Sequence, residues 1–258
     1  MRRWSFFVIR PFFIGLFLLV VIQNLYAAGV LDSLDHSEKI APVTFSRNEI
    51  YLIDHVRNSI IQAEQGISKL PPVILDIQGM SSVKMRHLLN NLCSMPDTRY
   101  LEIGCWRGST FIASLFGNQG SLSSAVGIDN WSESNGPYRI FKKNCSLFLK
   151  DVPYDFYAED CFNLNLSNAF SKPINIYFYD GNHNVISQEM AFTYYNEILN
   201  NTFIAVINEW NVKDVEIGTR TAFNKLNYQV LYEIVLPVSS NADKKNWWNG
   251  LYIAVVRK

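Results

Sequence analysis

The stretch that decides the fold is "LEIGCWRGST", residues 101–110. An apolar run typical of a buried strand ends at Gly104, and a second glycine, Gly108, precedes the start of a helix at Ser109 or Thr110. Gly104 lets the backbone turn or approach a ligand without a Cβ atom in the way, and Gly108 lets the helix start lie close to the strand. Because ligands in open α/β sheets bind outside the carboxyl ends of the strands, we expect a ligand at this turn.

One acidic residue, Glu102, lies inside this apolar strand. A carboxylate is costly to bury unless it has partners, so Glu102 is expected to hold amides of the loop or a cationic group of a ligand. The two glycines do not have the G-x-G-x-x-G spacing, which makes a pyrophosphate-binding loop a weak fit. An ordinary strand–turn–helix with a satisfied glutamate stays open as an alternative at this point.

Strand-like and helix-like segments alternate from residue 80 to the end of the chain. The strands are continuously apolar, which is typical of a mostly parallel sheet covered by helices on both faces. No helix separates the last two strands, so they are expected to form an antiparallel pair. An N-terminal helix precedes this α/β domain, and Ser46 and Glu49 have the spacing of its capping box. The seven expected strands are "TRYLEIG", "SSAVGID", "YDFYAED", "INIYFYD", "TFIAVINEW", "YQVLYEIVL" and "GLYIAVVRK".

Polar side chains follow the strands after the opening motif, each at a carboxyl end. Asp129 stands 25 residues after Gly104, a separation that suits a carboxylate accepting both hydroxyls of a ribose. Surface acids placed at random would not recur so regularly at one edge of a sheet, which favours a binding site over the ordinary alternative. The polar residues at this edge are Asp129, Asp160, Asp180, His183, Asn208 and Glu209.

These motifs resemble those of the class I S-adenosylmethionine-dependent methyltransferases, and most closely the small-molecule O-methyltransferases. The resemblance covers residues 80–258 and implies a Rossmann-like, doubly wound, mostly parallel seven-stranded sheet that ends in an antiparallel pair. It implies S-adenosylmethionine as the cofactor. Gly104, Gly108 and Ser109 would approach the amino-acid part of the cofactor, and Glu102 would support its ammonium group or the loop.

The same resemblance implies roles for three acids at the following strand ends. Asp129 would hold the ribose, Asp160 would lie near the adenine, and Asp180 would lie under the methyl-transfer centre. A hydroxyl acceptor must lose its proton, and His183 is our preferred general base because the ordinary pKa of histidine is near neutrality. A structural histidine in a loop stays open as the alternative.

A divalent metal is a second feature that the resemblance raises. Related O-methyltransferases hold a metal with acids at the ends of two neighbouring strands, and such a site needs hard oxygen ligands. Asp180 and Glu209 are the candidates here, with Asn208 as a neutral ligand. The family usually has a pair of aspartates where this chain has Asn208-Glu209, and this departure puts the metal in doubt.

Composition limits the class of partner. The chain has 258 residues and a formal net charge of zero, so its overall charge does not indicate a nucleic-acid partner. None of its four cysteines forms the spacing of a zinc site, and disulfides and buried thiols both stay open. We therefore expect methyl transfer to a hydroxyl of a small molecule or glycan. The alternative function is a non-catalytic exported binding or interaction protein on the same fold.

The N-terminus predicts export. Residues 1–29 combine arginines, an apolar run and small residues in the order of a secretory signal. Residues 11–31 could instead attach the protein to a membrane as a signal anchor, and a buried N-terminal helix or a leader on a domain that stays inside are further alternatives. Both leading interpretations place the domain outside the cytoplasm, because arginines stay inside. Residues 30–79 are expected to form a linker, up to about residue 43, and a helical extension.

Overall fold

The computed structural model describes residues 37–132, 136–238 and 240–258. The signal peptide or anchor predicted for residues 1–29, and the membrane attachment predicted through residues 11–31, concern positions outside this part of the chain, so export stays a prediction. Within the described residues, no helix combines the length and apolar character that a membrane span needs.

The described part of the chain forms one mixed sheet of eight strands in the order β1-β7-β8-β6-β5-β2-β3-β4. Strands β2 to β6 run parallel, β8 is antiparallel to both β6 and β7, and β1 is antiparallel to β7. The expected α/β sheet with its terminal antiparallel pair is confirmed. The strands are β1 (Ser37–Ile40), β2 (Thr98–Ile103), β3 (Leu122–Ile128), β4 (Asp155–Tyr157), β5 (Ile174–Tyr179), β6 (Leu199–Ile207), β7 (Gln229–Leu236) and β8 (Leu251–Arg257).

Helices cover both faces of the sheet, as the continuous apolar strands predicted. Side chains of β5 alternate between two cores, so Phe178 packs with one layer of helices and Tyr177 with the other. The first layer includes α1, α3, α4 and α5, and the second includes α7 and α8. The helices are α1 (Arg47–Glu64), α2 (Pro72–Leu75), α3 (Val83–Leu92), α4 (Ser109–Leu115), α5 (Tyr138–Phe148), α6 (Leu166–Ala169), α7 (Val185–Thr193) and α8 (Lys213–Lys225), with a 3₁₀ turn at Asn196–Ile198.

Strand β1 was not expected, because it lies in the segment interpreted as a linker. The sequence "SEKI" has no strand pattern of its own, and the ladder with β7 holds it in place. Two ion pairs add to this pairing, one from Lys39 to Glu233 and one from Arg57 to Glu38. The sheet therefore has eight strands instead of the expected seven, since tertiary pairing overrides the weak local propensity.

The N-terminal helix α1 begins as its sequence predicted. The Ser46 amide donates to Glu49 Oε2 at 2.7 Å, and the Glu49 amide donates to Ser46 Oγ at 3.3 Å, which completes the capping box. Glu49 also accepts a hydrogen bond from Arg257 Nε at 2.6 Å, so the cap is tied to the last strand of the sheet. Residues 37–258 form a single compact unit that includes this helix.

A buried carboxylate, Glu233, joins three strands and a helix. Tyr252 donates to it at 2.7 Å, Lys39 at 3.0 Å, and Arg220 also forms an ion pair with it. Burial acts to raise the pKa of Glu233, but the hydrogen bonds from Arg220, Tyr252 and Lys39 outweigh it and lower this pKa to about 2. Because the folded pKa lies below the ordinary value of 4.5, the stabilisation is complete above that pH and is lost as the pH falls toward 2.

Glu233→Gln is expected to lower the free energy of unfolding by about 2 kcal/mol at pH 7, since it weakens hydrogen bonds to a charged group. Urea unfolding of both proteins at several pH values between 7 and 2 checks this, and the difference should shrink as the pH falls. Glu216→Gln removes an exposed surface pair with Lys213 and serves as the control, with an expected change below about 0.5 kcal/mol. A Glu233→Gln difference that is the same at every pH would contradict the argument.

Candidate cofactor and active site

A cavity of about 740 Å³ lies at the carboxyl edge of the parallel strands. Each strand from β2 to β6 contributes to its wall at or just beyond its carboxyl end, as the sequence indicated. The structure thus brings together residues far apart in sequence. Those that line the cavity from the predicted set are Gly104, Ser109, Asp129, Asp160, Asp180, His183 and Glu209.

Gly104 follows β2 and lies directly against the backbone that follows β5. Its φ is +89°, and its amide donates to Ile128 O at 2.9 Å. A Cβ atom at this position would lie 2.1 Å from the carbonyl oxygen of Asp180, well inside van der Waals contact. Only glycine satisfies both the positive φ and this approach, so Gly104 fixes where Asp180 enters the cavity.

Gly108 precedes the helix α4 and packs against side chains of the core. Its φ is +83°, and α4 begins at the next residue. A Cβ atom here would lie 3.1 Å from the Phe141 ring and 3.2 Å from Ile112. Gly108 does not line the cavity, whereas Ser109 does. The contacts of Gly108 therefore match the close packing of the helix start, and direct approach of this residue to a cofactor stays a prediction.

Glu102 is fully buried beneath the cavity wall. Thr110 Oγ1 and the Tyr100 hydroxyl each donate to its carboxylate at 2.6 Å. Burial raises the pKa of Glu102 to about 8, against the hydrogen bonds from Thr110 and Tyr100, which act to lower it. Of the two roles that the sequence allowed, these contacts favour support of the loop and the start of α4.

Asp129 joins the loops that follow β2 and β3. Its Oδ2 accepts from the Trp106 amide at 2.7 Å, and its Oδ1 accepts from the Trp131 amide at 2.6 Å. Both tryptophans have positive φ, 44° and 49°, and Trp131 Nε1 donates to Trp106 O at 2.6 Å. The carboxylate is therefore fixed in orientation, and its remaining lone pairs are available to hydroxyl donors in the cavity.

Trp106 is a site residue that sequence reasoning missed. It lines the cavity, and its indole Nε1 is buried without a hydrogen-bond partner. A buried N–H of this kind is costly unless something accepts from it. The available signal was an aromatic residue between the two glycines of the opening motif, where the backbone must turn.

Asp160 lies on the exposed rim of the cavity. Its Oδ1 accepts from the Phe162 amide at 2.8 Å, which folds the chain back so that Cys161 and Phe162 also line the wall. Tyr195 donates its hydroxyl to Cys161 O at 2.6 Å and holds this turn against the second core. The flat ring of Phe162 and the acid beside it suit an aromatic base with polar edges.

Four polar residues meet where β5 and β6 end. Asn208 Nδ2 donates to Asp180 Oδ1 at 2.8 Å, and His183 Nε2 lies 4.0 Å from the same oxygen. Burial raises the pKa of Asp180 well above its usual range, the hydrogen bond from Asn208 acts to lower it, and the charge of Glu209 raises it further. Asp180 is 18% exposed and His183 42%, so the histidine is the more accessible of the two.

The loop between β7 and β8 completes this end of the cavity. Asn249 Nδ2 donates to both oxygens of Glu209, at 2.7 and 2.8 Å. The backbones of residues 210–211 and 249–250 are also hydrogen-bonded, and Trp248 lines the wall beside Asn249. Glu209 has a φ of 59°, a conformation that these bonds hold. Asn249 has no local sequence signal for this role, which depends on its contact with Glu209.

Three of these side chains could hold a metal ion. Asp180, His183 and Glu209 offer ligand atoms that all lie within 4.8 Å of one another. The predicted ligand Asn208 turns its amide nitrogen to Asp180, and its Oδ1 is buried without a partner. His183 is thus added to the predicted set, and its nitrogen would favour a transition metal over magnesium or calcium.

The cysteines, for which disulfides and buried thiols stayed open, are unpaired. Three of them are buried in the core, and the fourth, Cys161, is half-buried in the cavity wall. Burial raises the pKa of the Cys161 thiol to about 12, with the charge of Asp160 adding to this effect, so the thiol is protonated at neutral pH.

The fold is similar to that of known methyltransferases, although the sequence shows no comparable match. No protein-family model and no curated protein matches the sequence. The fold is similar to that of the O-methyltransferase from Bacillus cereus in complex with S-adenosylhomocysteine, with 14% identity, a TM-score of 0.51, and coverage of 82% of this chain and 98% of that chain. It is also similar to TrmN from Thermus thermophilus, with 9% identity, a TM-score of 0.51 and coverage of 72% of this chain. This chain spans about half of TrmN, 52% of its length.

The similarity in fold agrees with three features of this structure. These are the strand order, the antiparallel placement of β8 and the cavity at the carboxyl edge of the sheet. The chain has the fold of the class I S-adenosylmethionine-dependent methyltransferases.

Proposed function

We propose that the protein is an S-adenosylmethionine-dependent methyltransferase that acts on a hydroxyl of a small molecule or glycan. One observation carries the proposal. On a methyltransferase fold, a single cavity gathers a fixed carboxylate for a ribose, a flat wall for a base and a carboxylate–histidine pair, each at the end of a different parallel strand.

The donor set and the volume of the cavity fit this cofactor. The cavity of about 740 Å³ lies in the usual range for small-molecule sites. Asp129 would hold the ribose hydroxyls, Asp160 and Phe162 would contact the adenine, and Gly104 and Ser109 would lie against the amino-acid part. When bound, the cofactor supplies a methyl group on a positively charged sulfur, and Asp180 would lie beneath that centre.

The chain's own residues then prepare the acceptor. His183 is exposed to the cavity and would take the hydroxyl proton at Nε2 as methyl transfer proceeds. Asp180 would orient the histidine and, with Asn208 fixing its Oδ1, resist rotation. Asp180, His183 and Glu209 could also hold a divalent ion, and such an ion would supply Lewis-acid chemistry that lowers the pKa of an acceptor hydroxyl.

The charges that line the cavity indicate which charge an acceptor can carry. Among the described residues that line the cavity there is no lysine or arginine, whereas Asp129, Asp160, Asp180 and Glu209 all face it. A polyanion such as a nucleic acid would be repelled at the point of transfer. This distribution supports a neutral or cationic small acceptor, with the ring of Trp248 as one wall of its site.

Asp129→Ala is expected to weaken binding of S-adenosylmethionine and S-adenosylhomocysteine about 100-fold, because two hydrogen bonds to a charged group are lost and the loops they fix are released. Titration calorimetry of the purified full-length protein measures this. Asp151→Ala changes an exposed aspartate outside the cavity and serves as the matched control.

The result separates the two candidate functions. Micromolar binding by the wild type that is lost in Asp129→Ala and kept in Asp151→Ala supports the enzyme. A folded wild-type protein with no affinity for either ligand would exclude it and leave the non-catalytic binding protein as the working hypothesis.

A further inference from the structure

A buried arginine lies next to the cavity without a carboxylate partner. Arg86, on α3, is 4% exposed. Its Nη1 donates to Leu75 O at 2.6 Å and its Nε donates to Ser81 Oγ at 3.0 Å. Among the described residues, no carboxylate forms a hydrogen bond with this guanidinium, and the exposed Asp76 acts on it only through space. A cation removed from water in this way is costly unless an anion compensates it.

Arg86 is linked to the cavity through two serines. The guanidinium can only donate, so Ser81 Oγ accepts from Arg86 Nε. Ser109 Oγ lies 3.4 Å from Ser81 Oγ, and either hydroxyl can be the donor of this pair. When Ser81 is the donor, the Ser109 O–H is available to a ligand, and Ser109 lines the cavity. A bound anion would select this arrangement, in which the relay ends in a donor close to a buried positive charge.

The backbone at Gly79 covers the relay closely. A Cβ atom at Gly79 would lie 1.8 Å from Ser109 Oγ and 3.0 Å from Arg86 Nη2. The next residue, Met80, lines the cavity. The loop before α3 thus packs over Arg86 and Ser109, which are both buried, and burial strengthens the effect of the positive charge on the groups around it.

We propose that the relay Arg86–Ser81–Ser109 is the subsite for the carboxylate of the amino-acid part of the cofactor. This inference rests on the proposed function. The rest of the lining bears carboxylates, so an anionic group of a ligand is stabilised at this end and repelled elsewhere. An amino acid bound with its carboxylate at Ser109 can turn its ammonium group toward the acids. Arg86 is a positioning residue in this scheme, since it acts through the two serines.

The test compares two ligands that differ by one carboxylate. S-adenosylhomocysteine has it, and S-adenosyl-3-thiopropylamine is the same molecule without it. Titration calorimetry of the full-length protein gives the affinity of each for the wild type, for Arg86→Gln and for Arg57→Gln. Arg57 is a half-buried arginine paired with Glu38 outside the cavity, so its variant controls for the loss of an arginine.

Arg86→Gln is expected to weaken binding of S-adenosylhomocysteine about tenfold or more, the scale of a hydrogen bond to a charged group, and to leave binding of the thiopropylamine unchanged. Equal weakening of both ligands, or of neither, would overturn the assignment while leaving the proposed function intact. A wild type that binds neither ligand would overturn the proposed function and this inference with it. If Arg86→Gln does not fold, Ser81→Ala and Ser109→Ala give the same comparison with smaller changes of volume and charge.

Discussion

Gly104→Ala is expected to lower the free energy of unfolding by about 3 kcal/mol and to abolish binding of the cofactor. The added methyl group would lie 2.1 Å from the carbonyl oxygen of Asp180, which is backbone and cannot rotate away. The φ of +89° adds a second cost for any residue with a Cβ atom. Relief requires the ends of β2 and β5 to separate, and that movement displaces Asp180 from the cavity.

Urea unfolding and calorimetry with S-adenosylhomocysteine measure both effects. Gly120→Ala is a matched control, because a Cβ atom at Gly120 would meet nothing within 4 Å and its φ is not positive in the restricted range. We expect this control to be neutral or slightly stabilising, since alanine restricts the unfolded chain. If Gly104→Ala were as stable as Gly120→Ala, the close approach of Gly104 to the Asp180 carbonyl would not be the constraint that the distance indicates.

His183→Ala is expected to lower kcat by about 10²- to 10⁴-fold while changing the affinity for S-adenosylmethionine by less than about threefold. The reason is its position: His183 Nε2 lies 4.0 Å from Asp180 Oδ1, after β5, whereas the loops proposed to hold the cofactor follow β2, β3 and β4. The side chain is 42% exposed, so its removal leaves little unfilled space in the core.

The measurement is release of S-adenosylhomocysteine with a phenol or sugar acceptor that the wild type turns over. Ile186→Ala, which changes a side chain 72% exposed on the same segment, is the control and should keep full activity. Repeating the assay with EDTA and then with added Mn²⁺ separates two roles. A general base gives the same loss in all conditions, whereas a metal ligand gives a loss that depends on the ion. Full activity of His183→Ala in every condition would remove this histidine from the mechanism.

The sheet and the edge of the site could be predicted because both follow from short stretches of sequence. A continuous apolar run that ends in a polar residue identifies a parallel strand and its carboxyl end, which is how Asp129 and Asp180 were found. Asn249 and Arg86 carry no such signal. Their importance comes from contacts with Glu209 and with Ser81, and the first of these crosses 40 residues of sequence.

Strand β1 and Glu102 both show that local sequence cannot predict contacts that form only in the folded chain. The sequence "SEKI" has no apolar pattern, and only the edge of β7 makes it a strand. For Glu102 the local sequence predicted a buried carboxylate in need of partners, but two kinds of partner were open. The choice between them depended on Thr110 and Tyr100 being within reach, which is a property of the folded chain.

The position of β8 has a consequence for synthesis of the protein. This strand, Leu251–Arg257, fills the place between β6 and β7, and β1 joins the sheet only through β7. Because β8 follows both β6 and β7 in the chain, these two strands lack their common neighbour in the sheet until β8 has been synthesised. Until then, the nascent chain has an open edge on β6. Strand β1 comes first among the described strands, but it joins the central sheet only after β8 has paired with both β6 and β7.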